Sequence, residues 1–206
     1  MAAFALVGVG GYLVAWPVPF EPVAWSPARA PSLPANDALA KVERIGGDLP
    51  GPESIAIDAE GSIFTGLGDG RVVQVARDGT VTLMATTGGR PLGMQFDRTG
   101  RLIVADAVRG LLAIAKDGSI SVLATEQGGV PFRFVDDLEI ASDGTIYFSD
   151  ASHRFDVHDF RDDALEHRPN GRLLAYHPDG RTELIRGELF FANGVALSAD
   201  ESFVRV

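Results

Sequence analysis

Four segments of the chain, ESIAIDAEGSIFTG, LGMQFDRTGRLIVAD, DDLEIASDGTIYFSD and NGVALSADESFVRV, superpose without gaps, and their first residues are Glu53, Leu92, Asp136 and Asn193. Two carboxylates and an amide carbonyl at equivalent positions of successive repeats are hard oxygen donors. Brought to one point they suit a hard cation such as Ca²⁺ or another divalent ion, since Ca²⁺ takes about 6–8 oxygens at roughly 2.3–2.6 Å in flexible geometry. Asp and Asn also sit at strand ends simply as turn residues, but a turn role does not account for the matched register. Asp137, beside Asp136, is the candidate general base. Strict alternation along a strand aims it away from Asp136, toward the backbone of the neighbouring repeat. Asp106 and Asp150 close the strings VADA and FSDAS and read first as backbone caps, second as catalytic groups.

Other chemistries are poorly served. With no cysteine there is no thiolate zinc site, iron–sulfur cluster or cysteine nucleophile. No His-Glu-x-x-His spacing indicates zinc, and no Gly-x-Ser-x-Gly elbow indicates a serine hydrolase. GVGG near Gly8 and GLGDG near Gly66 lie in an apolar leader and a hairpin, not between a strand and a helix as a phosphate loop requires. The formal net charge of −10 argues against nucleic acid, whose binding rests on clustered cations that neutralise phosphates. No protein partner is legible.

The elements that must position these residues are short strands. In each aligned segment the first strand alternates apolar residues (Ile55, Ile57; Met94, Phe96; Leu138, Ile140; Val195, Leu197) and the first three segments then turn through Gly61, Gly100 and Gly144 into a second apolar strand. Two further strands follow around Asp78-Gly79, Asp117-Gly118 and Asp179-Gly180. Units of four strands and of near-equal length indicate an all-β fold, a β-propeller of four-stranded blades, with the aligned first positions projecting into one central channel. A β-sandwich would not predict the near-equal spacing. The chain ends inside the second strand of a fourth unit, which is expected to make it a fragment of about three and a half blades, with C-terminal blades missing.

The aligned positions recur at intervals of 39, 44 and 57 residues. The excess in the third unit falls between Ala151 and Asn170, on the same face as the strand starts, and makes this loop a candidate lid. His153, His158 and His167 could orient water or substrate there, and Arg154 and Phe155 could shape its access. Three histidines among the loop's acidic residues are equally consistent with a solvated surface.

The domains divide as 1–20, an apolar anchor or signal without a charged side chain; 21–40, a Pro-rich tether; and 41–206, the partial propeller. Pro17 and Pro19 end a leading helix near Trp16, and Trp16 and Trp25 suit a membrane interface. These features predict a membrane-anchored extracytoplasmic domain, or an exported one. Only Lys41 and Lys116 among the 18 basic residues are lysines, a bias that, with abundant Ala and Gly, hints at a GC-rich bacterial genome.

The strings GPES, GRPLGMQF with LIVADAVRGLL, DDLEIASDGTIYFSDAS, and NGRLLAYHPDGRTELIRGELFFANGVALSADESFV resemble the strictosidine-synthase-like branch of the SMP-30/gluconolactonase superfamily, from about Asn36 onward. The apolar leader followed by PVPFEPVAW is similar to membrane-anchored members. The resemblance implies a six-bladed propeller and a Ca²⁺-dependent hydrolase of lactones or arylesters, with Glu53, Asp136 and Asn193 as metal ligands. Asp136 departs from the family's Asn there, which keeps an oxygen and adds a charge. A further ligand would lie beyond Val206. Two other readings stay open: a metal-independent strictosidine-synthase-like enzyme, and a non-catalytic binding propeller.

Overall fold

The computed structural model describes residues 10–12, 21–26, 29, 32–43 and 45–206, so most of the expected anchor at 1–20 lies outside the described residues. Among the described residues no helix is long and apolar enough to cross a membrane.

Three four-stranded antiparallel sheets follow one another along the chain, each with its strands in sequence order. The first contains β1 (Ile55–Ile57), β2 (Ile63–Gly66), β3 (Arg71–Val75) and β4 (Val81–Thr86). The second contains β5 (Pro91–Phe96), β6 (Leu102–Asp106), β7 (Gly110–Ile114) and β8 (Ile120–Ala124). A small hairpin that the sequence pattern does not announce, β9 (Glu126–Gln127) and β10 (Val130–Pro131), leads into the third blade. That blade holds β11 (Val135–Ile140), β12 (Ile146–Asp150), β13 (Gly171–Tyr176) and β14 (Thr182–Leu189). Strands β15 (Ala196–Leu197) and β16 (Val204–Arg205) open a fourth sheet. The blades are those of a β-propeller: first strand lies beside first strand, β1 by β5, β5 by β11, β11 by β15.

Period-2 alternation explains why the blades stack. In β6, Leu102 and Val104 face the first blade, packing with Phe64, Val72 and Met94, while Ile103 and Ala105 face the third, packing with Leu138, Phe148 and Leu174. A strand covered on both faces is apolar throughout, and every residue of LIVAD is buried. The Asp-Gly hairpins turn as expected; Gly118, at φ 81°, holds a left-handed conformation and its missing side chain lets Met84 O approach.

The third blade departs from its sequence outline. β14, at eight residues, is longer than the other strands, and the loop after β12 contains a two-turn helix, α1 (Phe160–Glu166). The helix follows no long apolar period. Its buried face is polar: Asp163 accepts from the Ser152 hydroxyl (2.5 Å) and from Asn170 Nδ2 (3.1 Å), and Glu166 accepts from Asn170 Nδ2 (2.9 Å). Hydrogen bonds rather than apolar burial hold it.

Candidate functional site

At the end of the molecule where the first strands begin, Glu53, Ser54, Gly93, Asp136, Asp137 and Asn193 line one cavity of about 210 Å³. Three successive blades and the start of the fourth thus converge as the repeat register requires. Leu92, the second blade's counterpart, is buried instead with Ala107, Phe134 and Ala151, so that blade contributes no side-chain oxygen at this position.

Asp137 reverses its sequence expectation. The pairing of β11 with β12 runs from Val135 opposite Asp150 to Leu138 opposite Phe148, so Asp136 and Asp137 together oppose Ser149 alone. This two-for-one bulge breaks the alternation, and both carboxylates reach the cavity. The backbone bond to the next blade is present as well: Asp137 Oδ2 accepts from Val195 N (2.9 Å). A matching shift in the second blade sets Leu92 and Gly93 opposite Ala105. A Cβ on Gly93 would run into the Asp137 side chain and backbone, so a glycine there is what lets β11 come this close.

Ser149, buried on β12, escaped the sequence reading. Its hydroxyl donates to Asn193 O (2.6 Å) and accepts from Asp137 N (3.1 Å), tying two blades together beneath the cavity. Nothing marks it in the sequence except its place before Asp150. Arg90 was also missed. It donates from Nη1 to Gly51 O (2.8 Å), and its charge bears on both Glu53 and Asp136.

The electrostatics are those of crowded acids. Burial, then the charges of Glu53 and Asp137, push the Asp136 carboxyl up to about 7, with Arg90 opposing. Glu53, at the exposed rim, is raised too, by loss of water on one side against the pull of Arg90 and with a push from Asp137. A cation would relieve both. The donor set of Glu53, Asp136 and Asn193 therefore fits a hard divalent ion in charge and chemistry. Among the described residues no three His, Cys, Asp or Glu side chains stand close enough to form a cage by themselves, so the Asn193 amide and water would have to complete the shell.

Asp106 and Asp150 are caps. Asp106 Oδ1 accepts from the backbone of Arg90, Val108 and Arg109, and Asp150 Oδ1 from that of Arg133 and Phe134. Asp150 Oδ2 is further paired with Arg172, whereas Asp106 Oδ2 is buried with no hydrogen-bond partner among the described residues.

The loop from Ala151 to Asn170 does occupy the face of the strand starts, but His153, Arg154 and Phe155 do not line the cavity. His153 is bound through Nδ1 to Asn170 O (2.6 Å), Arg154 pairs with Glu166 (3.2 Å) and Phe155 is buried. His158 borders a separate cleft with Val108 and Arg133, and His167 stacks on Trp25. Bonds within the loop hold the His153 and Arg154 side chains.

Comparison with known proteins adds lineage to this geometry. The Strictosidine synthase-like, N-terminal family model matches residues 32–75 and the Strictosidine synthase model residues 136–206. The chain is 40% identical over 193 residues to strictosidine synthase-like protein 6 of Arabidopsis thaliana, covering 89% of this chain and 52% of that one. It is 34% identical over 212 residues to the adipocyte plasma membrane-associated protein of Rattus norvegicus, covering 91% and 56%. The chain therefore spans about half the length of these relatives. They are plant and mammalian and lend no support to the bacterial origin read from composition. Among solved structures, a gluconolactonase from Xanthomonas campestris superposes with a TM-score of 0.62 at 23% identity, over 76% of this chain and 54% of that one. A streptogramin B lyase does so with a TM-score of 0.55 at 12% identity, over 74% and 47%. These two show the fold. With a strictosidine synthase-like model matched at residues 32–75, a strictosidine synthase model at 136–206, and the identity to these relatives carried across all the blades, the chain belongs to the strictosidine synthase-like family.

Proposed function

We propose that the chain carries the ion-binding and catalytic end of a hydrolase of lactones or arylesters, with Ca²⁺ held by Glu53, Asp136 and Asn193. The observation that carries this reading is the shared cavity, where burial, and then the charges of Glu53 and Asp137, raise Asp136 to about 7 against the pull of Arg90. The fold shared with a gluconolactonase supports it by analogy alone. When bound, the ion would supply a Lewis acid for the carbonyl. The chain's own groups do the rest. Asp137, fixed through Oδ2 by Val195 N–H, keeps Oδ1 beside Gly93 at the cavity wall, where it can take the proton of an attacking water. Ser149 holds the Asp137 and Asn193 backbones at one spacing, so the base and the amide ligand move together. A second reading, metal-independent chemistry of the strictosidine synthase type, is favoured by the lack of a three-acid cage among the described residues.

Thermal melting of the full chain in Ca²⁺ and in chelator separates the two. An ion that binds only the folded state at 100 times its Kd adds about 2.7 kcal/mol, a rise in Tm of roughly 5–10 °C. Glu53→Gln and Asn193→Ala are expected to lose that rise, together with turnover on a panel of lactones and aryl esters. No shift at millimolar Ca²⁺ would sink the metal reading. A shift without turnover would leave a binding propeller.

A further inference from the structure

The described start of the Pro-rich segment is docked on the third blade. Glu21 N–H donates to the Glu166 carboxylate (2.9 Å), Val23 N–H to Glu166 O (2.9 Å), and Arg168 Nε to Glu21 O (2.9 Å). The docking site is firm, because Glu166 is fully buried and also holds Asn170 and Arg154. Trp25 then stacks on His167 (4.4 Å between centroids), which leans on Phe190 (4.9 Å), and the neighbouring Phe191 meets Phe134 and Phe160.

These rings are held in place, yet the outward ones stay uncovered. Trp25 is 56% exposed, Phe190 57% and Leu165 on α1 60%, with Val23 and Phe160 extending the strip. Scattered apolar side chains on a surface mean little, but a run of large ones fixed by stacking marks a contact surface. The sequence indicates what meets it. Twenty residues without a charged side chain run directly into Glu21, so the strip begins where the most apolar stretch of the chain ends. Trp and Phe beside such a stretch suit the headgroup level of a bilayer. Glu21 is paired with Arg168 and Arg161 lies over Phe160, so the strip's own border is mixed in sign, and the net charge of −10 favours zwitterionic over anionic lipid.

We infer that the strip of Val23, Trp25, Phe160, Leu165 and Phe190 is a bilayer-contact surface that seats the mouth end of the propeller on a zwitterionic membrane. The cavity of Glu53, Asp136 and Asn193 opens at that same end, and Phe191 lies two residues before Asn193. Substrates dissolved in the bilayer, hydrophobic lactones or esters, then meet the mouth without crossing bulk water. The inference rests on reading residues 1–20 as an anchor, and the test keeps the two apart.

The chain has no cysteine, so Leu165→Cys, Phe190→Cys and Ser119→Cys each give a single site for a nitroxide label, the last in a turn at the opposite end. The full chain is reconstituted in dioleoylphosphatidylcholine vesicles, and collisions with dissolved oxygen and with an aqueous nickel chelate are measured. Labels at positions 165 and 190, about 5–10 Å into the headgroup boundary, are expected to gain oxygen contact and lose nickel contact several-fold relative to position 119. Equal aqueous access at all three positions overturns the inference. Loss of both reagents at 165 and 190 means that protein, such as a second copy of the chain, covers the strip, and overturns it too. Flotation of the chain with the vesicles reports the anchor separately, so a chain that floats with a wet strip defeats the contact surface and leaves the anchor standing.

Discussion

Asp136 sets the pH behaviour of the site. Its folded carboxyl is raised to about 7 from an ordinary 3.8, so between those values the folded chain holds a proton that the unfolded chain has released. The folded state then binds more protons, and stability falls as pH rises through this window. Glu53, also raised, adds in the same direction. In chelator, urea unfolding at pH 5 and pH 8 is expected to show a loss at the higher pH of about 2–3 kcal/mol from Asp136, since about two pH units separate pH 5 from its folded value and each is worth about 1.36 kcal/mol. Asp136→Asn is expected to remove most of that loss. If the variant and the parent lose stability equally, the strain lies elsewhere.

At the scale of the elements, the site depends on how closely β5 and β11 approach, and Gly93 governs that distance. A Cβ there meets the backbone of Asp136 and Asp137 as well as the Asp137 carboxyl, and backbone cannot turn aside. Gly93→Ala is expected to cost about 1–3 kcal/mol in urea unfolding and to abolish the Ca²⁺-dependent rise in Tm. Gly194→Ala is the matched control, since its nearest neighbour would be Asp137 Oδ2 at an ordinary 3.8 Å, and it should melt like the parent. The strand positions themselves follow from alternation and Asp-Gly turns. The bulge in β11 does not, because an inserted residue is visible only when both partners of the ladder are known.

The whole molecule is a row of blades joined by apolar packing and a few polar ties. Gln95 on β5 is the clearest tie: its Nε2 donates to Glu139 Oε1 (3.0 Å) and its Oε1 accepts from Ile140 N (2.8 Å) on β11. Gln95→Leu leaves a half-buried backbone N–H and a carboxylate without their partner and is expected to lower stability by about 1–3 kcal/mol, read as a fall in Tm in calorimetry. No change would mean that water replaces the side chain and that packing alone joins the two blades. Ser149 performs the corresponding function between the third blade and the fourth sheet, closer to the cavity.

Much of this protein was written locally. The repeat, the four-strand units, the hairpin turns and the matched positions of Glu53, Asp136 and Asn193 depend on side-chain period and turn chemistry, and these act between residues close in sequence. Family motifs are local strings and were legible for the same reason. What depended on distant partners was decided only in the folded chain: the bulge that turns Asp137 inward, the Ser149 hydroxyl beneath two blades, and Arg90 beside the acids. The loop from Ala151 to Asn170 shows the difference most plainly. Its histidines and Arg154 have the composition of a substrate lid, but buried Asp163 and Glu166 draw its polar groups inward and fasten Glu21 and Val23 to it, because buried carboxylates must find donors wherever the fold brings them.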